Sequence, residues 1–285
     1  MVELVGGVPK YVNMKLPDTK EKISGKDWFL NRTDLEKAFN NKTRGIIVNN
    51  PHNPTGKVFT LEELQFIANL VKKFDVYVVA DEVFGWTVYG SEKFVNFASL
   101  PGMLDRTVTV GSASKSLVLS GWRIGWAYGP EHLISEISTV HTTMLICAPA
   151  MQQDAVAHVL ENELKNLGTP NSFFYNNTRN LQTKRDMITN AFEEAGMIPY
   201  FPDSGDCLVV KLPVLKDFSF DFPKNISQYI WFTNVTGVLG FPMNYFYGPE
   251  HSELGKDNMR FCFQKSLPTL QSAAEGLQVL RNFFL

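Results

Sequence analysis

Apolar and polar positions fall into two textures along this chain. Between residues 45 and 128, short runs are apolar at neighbouring positions: Gly45–Val48, Val76–Ala80, Thr107–Val110 and Arg123–Tyr128. Runs this short, without alternation, predict strands buried on both faces, as in a parallel sheet covered by helices. Between the first two runs, Leu64, Ile67, Ala68, Val71 and Phe74 recur at helical spacing. Thr60, with Glu63 three residues on, predicts a capping box at the start of that helix. The segment from Asn50 to Gly56, with two prolines and a glycine, predicts a turn after the first strand.

Beyond about Pro149 longer periodic stretches take over. Asn180–Ala195 predicts a helix with Leu181, Ile188 and Phe192 inward and Gly196 as its stop. Leu208–Leu212 and Met259–Phe263 predict strands of a separate antiparallel sheet. A last helix is expected from about Pro268, with Ala273, Ala274, Leu277, Leu280 and Phe284 on its apolar side. The expected architecture is α/β. Residues 1–160 form a mostly parallel sheet with helices on both faces, and residues 161–285 a smaller α+β domain.

Composition narrows the function classes. The formal net charge is only −2 and no basic stripe occurs, which argues against a nucleic-acid partner. No apolar run approaches the length of a membrane span, and the first residues lack the basic-then-apolar pattern of a secretory signal, so a cytoplasmic or mitochondrial protein is expected. Three widely spaced cysteines predict no disulfide framework and a reducing compartment. Cys147 and Cys262 are expected to be small buried apolar side chains. The five histidines show no metal-ligand spacing, so no metal is expected.

In open α/β sheets ligands collect outside the carboxyl ends of the strands. Asn53, Asp81 and the segment Ser112–Lys115 all lie just past such ends. The hydroxyls of Ser112 and Ser114 and the guanidinium of Arg123 suit a phosphate, and the amine of Lys115 suits an aldehyde as a Schiff base. A phosphorylated aldehyde such as pyridoxal 5′-phosphate is therefore the expected cofactor. Ser112 and Lys115 also match the Ser-x-x-Lys pattern of penicillin-binding serine hydrolases, but the companion Ser-Asp-Asn and Lys-Thr-Gly motifs are absent.

Five ordered motifs resemble the fold-type I, pyridoxal-phosphate-dependent aminotransferases of classes I and II. They are Asn50–Gly56, Asp81-Glu82-Val83, Ser112–Lys115, Trp122–Trp126 and Met259-Arg260-Phe261. Ala98–Met103, Thr139–His141 and Tyr245–Tyr247 are similar to the kynurenine–oxoglutarate transaminases, also known as cysteine-conjugate β-lyases and glutamine transaminase K. The resemblance implies amino transfer from an aromatic or sulfur amino acid to a 2-oxo acid, in a homodimer. It implies that Lys115 carries the cofactor and moves the substrate proton, and that Asp81 faces the pyridine nitrogen. Asn53 would bind the ring oxygen, Ser112, Ser114 and Arg123 the phosphate, and Arg260, with Asn53, the substrate carboxylate.

The chain also departs from that pattern. Phe84 stands where the family has a tyrosine that shares the ring oxygen with Asn53. Ser204–Cys207 replaces a glycine pair followed by aromatics, and Ile146-Cys147 an aromatic–histidine pair. Related enzymes carry a substantial portion ahead of the segment resembling Glu3–Pro9, which leads us to expect an unpaired sheet edge and uncovered apolar surface. These departures support a second reading: an impaired or inactive truncated paralogue that binds cofactor weakly or pairs with a full-length subunit.

Overall fold

A computed structural model describes residues 2–17, 22–212 and 227–284. The first part runs β1 (Met14–Lys15), β2 (Phe29–Leu30), α1 (Arg32–Ala38), β3 (Gly45–Asn49), α2 (Leu61–Phe74), β4 (Tyr77–Asp81), β5 (Thr107–Ser112), α3 (Ala113–Ser116), β6 (Gly125–Tyr128), α4 (Glu131–Leu145), α5 (Ala150–Asn166) and α6 (Phe173–Glu194). The second part runs β7 (Ile198–Tyr200), β8 (Cys207–Lys211), α7 (Gln228–Thr236), β9 (Phe241–Pro242), β10 (Asn258–Cys262), α8 (Leu267–Gln278) and α9 (Arg281–Phe284).

The expected capping box starts α2. Thr60 Oγ1 accepts from the Glu63 amide at 3.2 Å, and the Thr60 amide donates to Glu63 Oε2 at 2.9 Å. Fixed in register by that start, α2 turns Leu64, Ile67, Ala68 and Val71 onto Val48, Val78 and Ala80 of the sheet. Sheet order is β3-β4-β5-β6, with the first three strands parallel and β6 antiparallel to β5.

On β4 burial alternates: Val78 and Ala80 face the core, while Tyr77 and Val79 are exposed, as is Ile47 on β3. Strand β3 forms one edge of the sheet. Helix α4 buries none of its residues and exposes Ile137, Val140, Met144 and Leu145.

A second four-stranded sheet, ordered β7-β8-β10-β9, is antiparallel throughout. Its core joins Leu208 and Val210 to Leu181, Ile188 and Phe192 of α6 and to Leu277 of α8. Position 160 lies inside α5, between the two sheets in sequence.

Three boundaries differ from the sequence pattern. Helix α6 begins seven residues before Asn180, because Ser172 Oγ caps the Tyr175 amide and the buried Glu163 carboxylate accepts the Phe173 amide. Strand β6 begins at Gly125, because Arg123 adopts a left-handed φ of 56° that a strand cannot continue. The terminal helix is interrupted after α8; Leu280 is buried nonetheless, and the side chain of Phe284 lies outside the described residues. Among the described residues no helix is long and apolar enough to cross a membrane.

Candidate active site

Parallel register decides which polar residues meet. Asn49 pairs with Asp81, and Asp81 with Val110, so β3, β4 and β5 end level with one another. Asn53, Asp81 and Ser112–Lys115 are thereby delivered to one edge of the sheet. The turn carrying Asn53 is fixed from behind, as its amide donates to Asn49 Oδ1 at 2.7 Å.

That turn also clasps the second part of the chain. Gly56 has a φ of 70°, and a Cβ there would lie 2.4 Å from Pro202, so no other residue fits without displacing backbone. Its carbonyl accepts from the Asp203 amide at 3.1 Å and from Ser204 Oγ at 2.9 Å. The Gly205 amide in turn donates to the Thr87 carbonyl at 2.9 Å. These bonds hold Asp206 and Cys207 against the edge of the first sheet, in a recess lined by His52, Asn53, Phe84, Gly205, Asp206 and Cys207.

Two contacts join the halves across that recess. Lys115 Nζ lies 2.9 Å from Asp206 Oδ2, and 5.1 Å above the Phe84 ring centroid. Burial works against the Lys115 ammonium, yet the Asp206 carboxylate outweighs it and holds the pKa above the ordinary lysine value. Arg260 Nη1 donates to Asn53 Oδ1 at 3.1 Å. The guanidinium lies over the rings of Phe241 and Phe246, 5.6 and 4.9 Å from their centroids, and among the described residues its buried Nε has no partner.

Asp81 is held by a long hydrogen bond from the Val83 amide at 3.4 Å, and burial raises its carboxyl above the ordinary range. Ser114 is buried, and Arg123 Nη1 lies 3.4 Å from its Oγ and 3.1 Å from the Ser120 carbonyl. At Gly111, just before Ser112, a Cβ would fall 2.1 Å from Trp126 Nε1, so the indole lies flush on the strand end. Lys115 Nζ is turned to Asp206, and nothing in the geometry pairs it with Ser112 as a hydrolase would require.

The sequence pattern misjudged two cysteines. Cys147 and Cys262 are exposed, because Cys147 follows the end of the unburied α4 and Cys262 sits on the open face at the end of β10. Asp206, the partner of Lys115, carried no sequence-based expectation of a role. Its one signal was an acid standing immediately before the wholly buried run Cys207–Val210.

Glu82 was also missed. It is buried beside Asp81, where Oε1 accepts from the Phe97 amide at 2.8 Å and Oε2 from Asn96 Nδ2. Burial, reinforced by the Asp81 charge, pushes its carboxyl up to about 7. Folded protein thus keeps a proton that the unfolded chain releases, and stability falls as pH rises from about 4.5 through 7. Glu82→Gln is expected to flatten that decline by up to about 3 kcal/mol. Thermal denaturation at pH 5 and pH 8 would check it: equal slopes in both proteins would remove Glu82 as the cause.

The family described as aminotransferase class I and II matches residues 1–277. Human kynurenine–oxoglutarate transaminase 3 is 36% identical over 281 residues, covering 96% of this chain and 62% of its own length. The kynurenine–oxoglutarate transaminase of Dictyostelium discoideum is 36% identical over 304 residues, covering 98% of this chain and 67% of its own. Among solved structures, Bna3p of Saccharomyces cerevisiae superposes with a TM-score of 0.88 at 31% identity, covering 99% of this chain and 68% of Bna3p. The N-succinyldiaminopimelate aminotransferase of Mycobacterium tuberculosis gives 0.84 at 28% identity, covering 98% and 67%. The chain thus spans less than two thirds of the human relative's length.

Proposed function

Because the chain belongs to the class I and II aminotransferases, whose cofactor is pyridoxal 5′-phosphate, we propose that it moves an amino group from an aromatic or sulfur amino acid to a 2-oxo acid. Kynurenine and glutamine are the donors to test first, with β-elimination from cysteine conjugates as a side reaction, since its relatives are kynurenine–oxoglutarate transaminases. One observation carries the reading. The register of β3, β4 and β5 brings Asn53, Asp81, Ser114 and Lys115 just past the carboxyl ends of neighbouring strands, and Arg260 reaches Asn53 with a buried Nε that has no partner among the described residues.

The donor set fits the cofactor chemically: an amine, a carboxyl, hydroxyls and a guanidinium, carried at the same end of neighbouring strands. When bound, pyridoxal phosphate supplies an aldehyde and an electron-withdrawing ring. Ser112, Ser114 and Arg123 would hold the phosphate, the planar guanidinium matching its oxygens. Asp81 would keep the ring nitrogen protonated, which requires its own carboxyl to ionise against the cost of burial. A guanidinium only donates, so Asn53 presents Oδ1 to Arg260 and keeps Nδ2 to bind an anionic ring oxygen. Lys115 would bind the aldehyde and, freed by the substrate amine, carry the proton of the amino acid's α-carbon. The proposal includes a large domain of residues 1–160, a small domain of residues 161–285, a homodimer, and a cytoplasmic or mitochondrial location.

A second reading, a weakened or inactive relative, is favoured by the Lys115–Asp206 ion pair and by Phe84. The pair holds the amine protonated, and Phe84 offers no hydroxyl to the ring oxygen. One titration separates the readings. Added pyridoxal phosphate should change its visible absorbance on reacting with the protein, and kynurenine plus a 2-oxo acid should then yield the keto product. An absorbance change without product supports the second reading; neither response rejects the first and leaves of the second only pairing with a full-length subunit, which co-purification with such a subunit would show.

A further inference from the structure

Cys207 and Cys262 lie far apart in sequence but directly opposite each other in the register of β8 and β10. The Phe263 amide donates to the Asp206 carbonyl at 2.9 Å, which makes 206–263 a hydrogen-bonded pair. The next pair inward, 207–262, is then of the kind without mutual backbone bonds, whose Cα atoms approach to about 4.5 Å with side chains on one face. A disulfide needs Cα atoms about 4.4–6.8 Å apart, so the strands already stand at bonding distance.

The two thiols differ in a useful way. Cys207 is buried and Cys262 exposed. The sulfurs lie within 4.8 Å of each other, and the neighbouring Cys207 thiol, helped by the Lys115 ammonium and opposed by burial and the Asp206 carboxylate, brings the Cys262 thiol down to about 7, while Cys207 is pushed up. An exposed sulfur with a lowered pKa, standing opposite a second thiol across two paired strands, has the arrangement of a reactive cysteine and its resolving partner. Asp206 brings a carboxylate oxygen within 4.8 Å of both sulfurs, but its Oδ2 is paired with Lys115, and among the described residues the cluster offers at most three donors, one short of a closed tetrahedral site.

We infer that Cys207 and Cys262 form a redox pair that exchanges with small disulfides of the glutathione class. Cys262 thiolate attacks one sulfur of the small disulfide, forming a mixed disulfide and releasing one thiol. The Cys207 thiol gives up its proton and attacks the Cys262 sulfur; the cross-strand bond forms and the second small thiol leaves. The protein loses two hydrogens, and one small disulfide becomes two thiols. Cys207 Sγ lies 3.2 Å from Asp206 Oδ1, so oxidation removes a donor from the carboxylate that holds Lys115.

The test uses the full chain carrying Cys147→Ser, which removes the unrelated exposed thiol, equilibrated in glutathione buffers. Expected are a mass loss of two hydrogens, a linked peptide containing both cysteines, and recovery of both thiols with dithiothreitol. At a fixed ratio of reduced to oxidised glutathione, tenfold dilution of the buffer should raise the oxidised-to-reduced ratio of the protein tenfold, as only an intramolecular disulfide does. A lasting mass gain of one glutathione on Cys262, with a ratio insensitive to dilution, would overturn the inference. So would two thiols that stay free throughout. With Cys262→Ser as well, the mass loss should vanish.

Discussion

Replacing Lys115 with alanine abolishes covalent capture of pyridoxal phosphate and lowers turnover by about 10³-fold or more, since the amine is both the attachment point and the proton carrier. The same change leaves the Asp206 carboxylate buried without its cation. Its side chain is 4% exposed against 35% for Lys115, so the loss is that of a half-solvated pair, about 1–3 kcal/mol. A simple knockout thus confuses chemistry with stability. Lys115→Arg separates them, because arginine can keep the ion pair with Asp206 but never offers a free amine. Borohydride reduction followed by peptide mass analysis should find the cofactor on the Lys115 peptide of the wild type and nowhere in either variant. Capture should also speed up as pH rises, because the raised lysine pKa leaves little free amine at neutral pH. Cofactor trapped on another lysine in Lys115→Arg would end the assignment.

What was legible in the chain depended on how far apart the interacting residues are. The start of α2 is written within four residues, Thr60 to Glu63, and the structure reproduces it. That Asn53, Asp81 and Lys115 follow the carboxyl ends of neighbouring strands was legible, because parallel strands place those ends together whatever the details of packing. Lys115 with Asp206 was not, since that pair depends on how the Gly56 turn clasps Pro202–Ser204. The cysteines show the same limit. Their spacing gives no sign that the register of β8 against β10 sets Cys207 opposite Cys262. Glu82 carried no expectation of its own, and only the fold of the Asn96–Phe97 turn over it makes it a buried acid.

Arg260 gives the second large effect, and the argument starts from what its surroundings leave undone. A buried guanidinium N–H without an acceptor costs about 1–3 kcal/mol, and a folded chain selected for stability alone would pair it or replace it. Asn53 takes one nitrogen, Phe241 and Phe246 cover the faces, and Nε remains. A substrate carboxylate is the acceptor that would complete the fork, through two charge-assisted bonds worth about 1.5–3 kcal/mol each before the cost of desolvation. Arg260→Lys keeps a positive charge but loses the planar fork, so KM for the amino donor should rise about 30- to 300-fold while kcat falls far less. Arg260→Met should raise KM further and leave the melting temperature unchanged or higher, because removing the orphaned Nε donor and the buried charge offsets the lost bond to Asn53, and the Met side chain keeps the packing on Phe241 and Phe246. That opposition between weaker substrate binding and equal or better stability is what a purely structural arginine would not produce. A lower melting temperature with unchanged KM in Arg260→Met would make Arg260 a packing residue, held by its two phenylalanines and Asn53, and would leave the substrate carboxylate to be bound elsewhere.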